Sequence, residues 1–98
     1  MAIGVQLDFA GATLDQYDQI LESIGLLPLG PAPEAELFHW VTKTDKGIRV
    51  VDVWESRDAF ERFAEDKLAP VFLEIDMPGP EIQFFEVHNY FSGGRWGR

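Results

Sequence analysis

Two kinds of hydrophobic periodicity follow one another along the chain, and their order constrains the fold more than any other feature. Residues 2–10 (AIGVQLDFA) alternate between apolar and polar side chains, which indicates a strand. The next segment, TLDQYDQILESIG, has apolar residues at helical spacing. Thr13 and Gln16 have the spacing of a capping box at its start, and Gly25 stands where a helix C-cap is expected.

The second half of the chain predicts a hairpin, a helix and a last strand. ELFHWVTKT and IRVVDVWE read as two strands joined by the turn DKG, in which we expect Gly47 to have a positive φ. Ser56 then caps a helix over SRDAFERFAEDKLAPVFLEI, which Pro70 is expected to break into two pieces. EIQFFEVHNYF predicts the last strand.

The resulting element order is β-α-β-β-α-β, which predicts an α+β, ferredoxin-like fold. In this arrangement a four-stranded antiparallel sheet carries both helices on one face. With 98 residues, the chain is expected to form a single domain over residues 1–91, followed by a mobile C-terminal tail over residues 92–98. The proline-rich stretch between Pro28 and Pro33 is expected to form a rigid rim beside a pocket.

The charge balance and the absence of cysteine narrow the classes of partner. Eight basic residues stand against 17 acidic ones, giving a formal net charge of −9, which disfavours nucleic acid and anionic membranes as partners. No cysteine is available for a disulfide or a thiolate, which fits a cytoplasmic protein. The N-terminal stretch reads as neither a signal peptide nor a membrane span.

The sheet face without helices is expected to be an interface. The later strands carry large apolar side chains at both parities, for example Trp40 beside Val41, Val53 beside Trp54, and Phe85 beside Phe84. An exposed apolar face usually marks an interface or a ligand groove. Pairing two such faces across a two-fold axis predicts a homodimer.

The run VVDVWESRDAFERF, together with the element order, resembles the dimeric α+β barrel superfamily, which includes the antibiotic-biosynthesis-monooxygenase-like proteins. This resemblance implies two subunits packed sheet to sheet and a pocket for a small molecule. It also implies a choice of activities, because some members oxidise aromatic polyketides without a cofactor, some degrade haem, and some catalyse isomerisation or cyclisation.

The chain departs from the catalytic members of that superfamily in its second helix. Related monooxygenases often have a histidine there, whereas this chain reads Phe60-Glu61-Arg62-Phe63. The first strand lacks the asparagine of the haem degraders, and Phe63 stands where they have a tryptophan. Haem degradation is therefore disfavoured, no bound cofactor is expected, and the residues of the monooxygenases cannot be carried over.

The candidate site rests on polar residues within apolar strands. We expect Asp52 to face the interior and to hold His39, since a buried carboxylate needs a partner. A histidine beside a carboxylate suits acid–base chemistry, and His88 on the last strand is a further candidate. Flat walls for a planar substrate are expected from Trp40, Trp54, Phe84 and Tyr90.

The hairpin register decides whether this site exists. A two-residue turn at Lys46 and Gly47 places His39 on the face of Asp52, and a three-residue turn with a bulge places it on the other face. No ligand spacing is diagnostic of a metal, so none is expected.

The sequence thus favours a small-molecule enzyme that works without a bound cofactor. Its substrate is expected to be apolar or aromatic (polyketide-like), and its reaction an oxygenation, an isomerisation or a cyclisation. A non-catalytic, ligand-binding dimer and a purely structural dimer are the alternatives.

Overall fold

The computed structural model of the protein describes residues 1–91 and has the predicted order of elements. The predicted tail, residues 92–98, lies outside the described residues. The second helical region consists of α2, a π-helical segment and α3. The elements are β1 (Ile3–Ala10), α1 (Leu14–Ile24), β2 (Glu36–Lys43), β3 (Gly47–Trp54), α2 (Arg57–Phe63), the π-helical segment (Ala64–Leu68), α3 (Ala69–Glu74) and β4 (Glu81–Glu86).

The four strands form one antiparallel sheet in the order β2-β3-β1-β4. This is the predicted ferredoxin-like α+β architecture. β2 and β4 are the edge strands of this sheet. The two central strands, β3 and β1, pair over their full lengths. No helix in residues 1–91 combines the length and the apolar character needed to span a bilayer.

The hydrophobic core lies between the helices and one face of the central strands. Every second residue of β1 and β3 points into it, as the alternation of the sequence predicted. The helices contribute Ile20, Phe60 and Val71, and the sheet contributes Val5, Leu7, Phe9, Ile48, Val50 and Trp54. Truncating Phe60 to alanine here would cost about 3–5 kcal/mol, the usual loss for a buried aromatic residue.

The predicted caps fix where the helices begin and end. Thr13 accepts a hydrogen bond from the Gln16 backbone N–H at 3.1 Å, and the Gln16 side chain accepts one from the Thr13 N–H at 3.0 Å. Gly25 ends α1 with a φ of 79°, in the left-handed region that favours glycine. Ser56 Oγ accepts a hydrogen bond from the Ala59 N–H at 3.1 Å and thereby starts α2.

The expected break of the second helical region at Pro70 does not occur: the region stays helical from Arg57 to Glu74, with a π-helical segment just before α3. The Ala69 N–H donates to the carbonyl of Ala64, five residues back, which is the bonding pattern of a π-helix. Pro70, which has no backbone N–H to donate, stands in the first turn of α3 directly after this segment.

The hairpin turn differs from the prediction in its residues and in the role of its glycine. Asp45 and Lys46 form the two-residue loop, because the Thr44 N–H donates to the Gly47 carbonyl at 2.8 Å. The prediction of a positive φ at Gly47 is wrong, since only Gly11 and Gly25 among the described glycines have one. Gly47 is required for space, because a Cβ there would lie 2.0 Å from the Phe9 carbonyl oxygen.

Candidate functional site

His39 and Asp52 lie opposite one another on neighbouring strands and form a hydrogen bond. They are paired positions of β2 and β3, and His39 Nδ1 lies 2.6 Å from Asp52 Oδ1. Asp52 is also paired with Val5 of β1, which belongs to the core. Both side chains therefore occupy the helix-covered face, and the two-residue loop settles the register that the sequence left open.

Asp52 is buried, with 4 % of its surface exposed, and both of its carboxylate oxygens have partners. Oδ1 faces His39, and Oδ2 accepts a hydrogen bond from Trp54 Nε1 at 3.0 Å. These two partners explain why a carboxylate interrupts the apolar run of β3, since an unpaired buried charge would be strongly destabilising.

Trp54 supports the site from within the core. Its indole is almost fully buried and packs against Phe60 and Phe63, with ring centroids 5.8 and 5.1 Å away. It is not among the residues that line the cavity described below. Trp54 therefore fixes the orientation of Asp52 and does not form the flat wall that the sequence predicted.

Glu36 is a second carboxylate beside the imidazole. Its Oε2 lies 3.3 Å from His39 Nδ1. The pairing of β2 with β3 shifts by one residue between Glu36 and Phe38, so Glu36 lies opposite Trp54 and Phe38 lies opposite Val53. This bulge at Leu37 places Glu36 on the same face as His39, although the two are three positions apart in the sequence.

The residue before Glu36 has an unusual backbone conformation. Ala35 has a φ of 73°, a left-handed value that costs an L-residue about 1 kcal/mol. Its carbonyl accepts a hydrogen bond from the Glu55 N–H at 2.9 Å, which ties the start of β2 to the end of β3. The backbone is therefore held in a strained conformation at the point where it turns Glu36 inwards.

Tyr17 of α1 contacts the other ring nitrogen of His39. Its hydroxyl group forms a hydrogen bond with Nε2. The two rings are also stacked, with centroids 5.9 Å apart and an interplanar angle of 13°. Both nitrogens of the imidazole are thus occupied, Nδ1 by carboxylates and Nε2 by a phenol.

The surroundings shift the pKa values of His39 and Glu36 upwards. Burial by itself lowers the pKa of His39, but hydrogen bonds to Asp52 and Glu36 outweigh this effect and raise the pKa to about 11. Burial raises the pKa of Glu36 to about 7, and the hydrogen bond to His39 offsets only part of that increase. At neutral pH the imidazole is therefore protonated, and Glu36 exchanges its proton in the physiological range.

A cavity of about 570 Å³ opens beside these groups, a size typical of small-molecule sites. The segment from Leu26 to Pro33 forms part of its wall, together with α1 and the inner faces of β2 and β3. Its lining is mostly aliphatic and aromatic, and the polar members are Tyr17, Asp18, Glu36, His39 and Asp52. The proton-carrying groups therefore border an apolar space.

Four of the predicted site residues are not brought together with His39. His88 and Tyr90 are exposed and follow the end of β4. Phe84 faces the helices at the opposite edge of the sheet, where the Arg57 guanidinium lies 3.9 Å from its ring centroid. Trp40 pairs with Val51 on the face without helices and is 46 % exposed, so its side chain lies on the opposite face from His39, although the residue borders the cavity.

Sequence reasoning missed Tyr17 and Glu36. Tyr17 fits the apolar stripe of α1 and is therefore interpreted as a packing residue. Its hydroxyl group was the signal that it could also form a hydrogen bond in the site. In a regular strand Glu36 would lie on the opposite face from His39, because they are three positions apart. The bulge that brings them to one face cannot be predicted from the alternation of the sequence.

Glu36, His39 and Asp52 also have the geometry with which side chains approach a cation. Each offers one ligand atom, and these atoms lie within 4.8 Å of one another, as no other such group does among residues 1–91. A cation at this place would have to replace the proton between His39 Nδ1 and Asp52 Oδ1, which are already at hydrogen-bond distance. The side chains can therefore share a proton in the positions that they already occupy.

Comparison with known proteins supports the fold. Neither a known protein family nor a curated protein sequence matches the chain. Among solved structures, the chain is similar to a mutant form of SnoaB, a cofactor-independent oxygenase from Streptomyces nogalater. The two share 14 % sequence identity and superpose with a TM-score of 0.55, over 91 % of this chain and 93 % of SnoaB. The fold expected from the sequence is thus confirmed: the chain has a ferredoxin-like α+β fold, which it shares with SnoaB.

Proposed function

We propose that the protein is a small-molecule enzyme that transfers protons to and from an apolar or aromatic substrate without a bound cofactor. The observation that carries this proposal is the position of His39. Its imidazole borders an apolar cavity, Asp52 holds one of its nitrogens, and Tyr17 binds the other. An imidazole fixed in this way is a typical acid–base group.

The protonated imidazole gives the site its chemical capacity. The imidazolium is paired with Asp52, but its positively charged ring borders the apolar cavity and attracts an anion formed from a substrate beside it more strongly than it would in water. Removal of a proton from an acidic C–H or O–H group forms such an anion. Oxygenation, isomerisation and cyclisation of an aromatic ketone or phenol can all start from this step.

The fold supports the same proposal. SnoaB, with which the chain shares its fold, is a cofactor-independent oxygenase. The activity of SnoaB supports the proposal but does not assign a reaction to this chain, since the two sequences share only 14 % identity. We further propose that two copies of the chain pair through the sheet face without helices, where Phe38, Trp40 and Phe85 are exposed.

A non-catalytic ligand-binding dimer is the alternative function, and the apolar lining of the cavity favours it. In that case the polar groups would only orient the ligand. The two functions differ in the expected effect of a His39 variant. An enzyme would lose turnover, whereas a ligand-binding protein has no turnover and would keep its ligand.

Oxidation of anthrone tests the proposal, because its methylene group is an acidic C–H on a planar tricycle. With dioxygen the reaction consumes one O₂ and gives the quinone and water. We expect turnover by the wild type in the presence of a chelator, and a loss of about 100-fold or more in His39→Gln and Asp52→Asn. Asp45→Asn, at the exposed hairpin tip, is the matched control.

Two results would go against the enzyme. Unchanged turnover in His39→Gln would remove the imidazole from the mechanism. Saturable binding of anthrone without oxidation, and without proton exchange of its methylene group in deuterium oxide, would favour the ligand-binding alternative.

A further inference from the structure

The imidazole of His39 separates two different proton-carrying groups of the cavity. Nδ1 faces the carboxylates of Glu36 and Asp52, and Nε2 faces the hydroxyl group of Tyr17. Tyr17 belongs to α1 and Glu36 to the start of β2, so they approach the imidazole from two different elements. Both also line the cavity, so a substrate there meets an acid or base at two separate points.

The two carboxylates beside Nδ1 are not equivalent. Asp52 is held on both oxygens, by His39 and by Trp54 Nε1. Glu36 is equally buried at its side chain, with 6 % exposed, but His39 at 3.3 Å is its sole ion-pair partner among residues 1–91. One imidazolium cannot balance two buried carboxylates, so the less tightly held one is the group that takes up a proton. The pKa of Glu36, raised by burial to about 7, agrees with this assignment.

We propose that Glu36 is the proton acceptor and Tyr17 the proton donor of an isomerisation, in which a substrate proton is moved from one atom to another. This inference rests on the proposed function and specifies its reaction. The substrate class is an aromatic ketone with an acidic C–H beside its carbonyl group. His39 lies between the two groups and stabilises the enolate.

The step balances without an oxidant or a reductant. The C–H bond beside the carbonyl group breaks, its proton passes to the Glu36 carboxylate, and its electron pair enters the enolate. The enolate then takes a proton from the Tyr17 hydroxyl group at another atom, and Tyr17 recovers a proton from His39 Nε2. Glu36 releases its proton to water and His39 regains one from water, which restores the starting state.

Hydrogen exchange of β-tetralone in deuterium oxide without dioxygen tests this inference. The probe is a bicyclic aromatic ketone with acidic C–H groups, and NMR follows the loss of their proton signals. We expect the wild type to incorporate deuterium at a rate well above buffer, Glu36→Gln to lose about 100-fold or more, and Tyr17→Phe about tenfold or more. Glu36→Asp should recover part of the rate, because it keeps the acid.

Glu34→Gln is the matched control, since Glu34 is exposed and stands two residues before Glu36. We expect it to exchange at the wild-type rate. Near-ultraviolet circular dichroism and thermal unfolding of each variant separate a loss of fold from a loss of chemistry.

Each contrary outcome has a distinct meaning. Wild-type exchange in Glu36→Gln, combined with its loss in His39→Gln, overturns the role of Glu36 and leaves the proposed function standing. Unchanged exchange in His39→Gln overturns both. Exchange no faster than in buffer, while NMR shows β-tetralone bound to the wild type, also overturns the isomerisation.

Discussion

His39 Nδ1 and Asp52 Oδ1 lie 2.6 Å apart because the strands that carry them pair in a register with His39 directly opposite Asp52. The loop of Asp45 and Lys46 sets that register. A single additional loop residue would shift the pairing by one position and send the two side chains to opposite faces. The chemistry of the cavity thus depends on a hairpin tip at the far end of the two strands.

The pair predicts a histidine that stays protonated above neutral pH. We expect the ring nitrogen shifts of His39, measured by NMR, to show an imidazolium at about pH 8, because hydrogen bonds to Asp52 and Glu36 raise its pKa to about 11. Asp52→Asn should lower that pKa while the protein stays folded. A neutral imidazole at that pH, insensitive to the substitution, would contradict the pair.

The raised pKa of His39 also predicts how the stability of the protein depends on pH. The pKa of His39 is higher in the folded state than its ordinary value of 6.5, so its contribution is fully present below about pH 6.5 and is lost as pH rises towards 11. Between about pH 7 and about pH 9 we expect the free energy of unfolding to fall by about 1–2 kcal/mol more in the wild type than in His39→Gln. Urea unfolding at fixed protein concentration measures the difference, and equal pH slopes would rule the effect out.

The face without helices predicts self-association. Phe38, Val53 and Phe85 lie in one row across the sheet, and Trp40 lies beside Val51 in the next. We expect sedimentation to give a dimer at micromolar concentration, and Trp40→Glu to weaken it, because the charge would be buried in an apolar interface. Leu73→Glu, on the helical side and 84 % exposed in the wild type, is the control that should leave the dimer intact. A wild-type monomer at that concentration would contradict the prediction.

The contact between Gly47 and Phe9 predicts a large cost for the smallest side chain. Gly47→Ala puts a Cβ 2.0 Å from the Phe9 carbonyl oxygen, so the ends of β1 and β3 must move apart. We expect a loss of about 2–3 kcal/mol in unfolding free energy. Gly79→Ala adds its Cβ in open space and should change stability by less than about 0.5 kcal/mol. Similar stabilities for the two variants would show that the β1–β3 contact yields easily.

Local patterns predicted the fold because they act over a few residues. Alternation along β1 marks its buried face, and the caps at Thr13, Gly25 and Ser56 each satisfy backbone groups of their own helix. The sequence also identified the partnership of His39 with Asp52, because a carboxylate within an apolar run needs a partner.

The rest of the site depends on geometry that no local pattern contains. Glu36 enters through a bulge, and Tyr17 enters because its ring, carried by α1, stacks on His39 of β2. Phe84, on the far edge of the sheet, shares the helix-covered face with Asp52 but is separated from it by β1. Two residues on the same face of a sheet are therefore not necessarily close to one another. Their distance depends on strand order, which is a property of the whole sheet.

The bulge at Leu37 has a consequence for tracing this site through evolution. It lets a glutamate three positions before the histidine share its face, whereas a regular strand needs a spacing of two. A homologue that lost the bulge by a one-residue deletion would keep the carboxylate beside the imidazole and change only the spacing. Homologues with Glu-x-x-His and Glu-x-His are thus equivalent carriers of one constellation, which an ungapped comparison of their sequences would count as two.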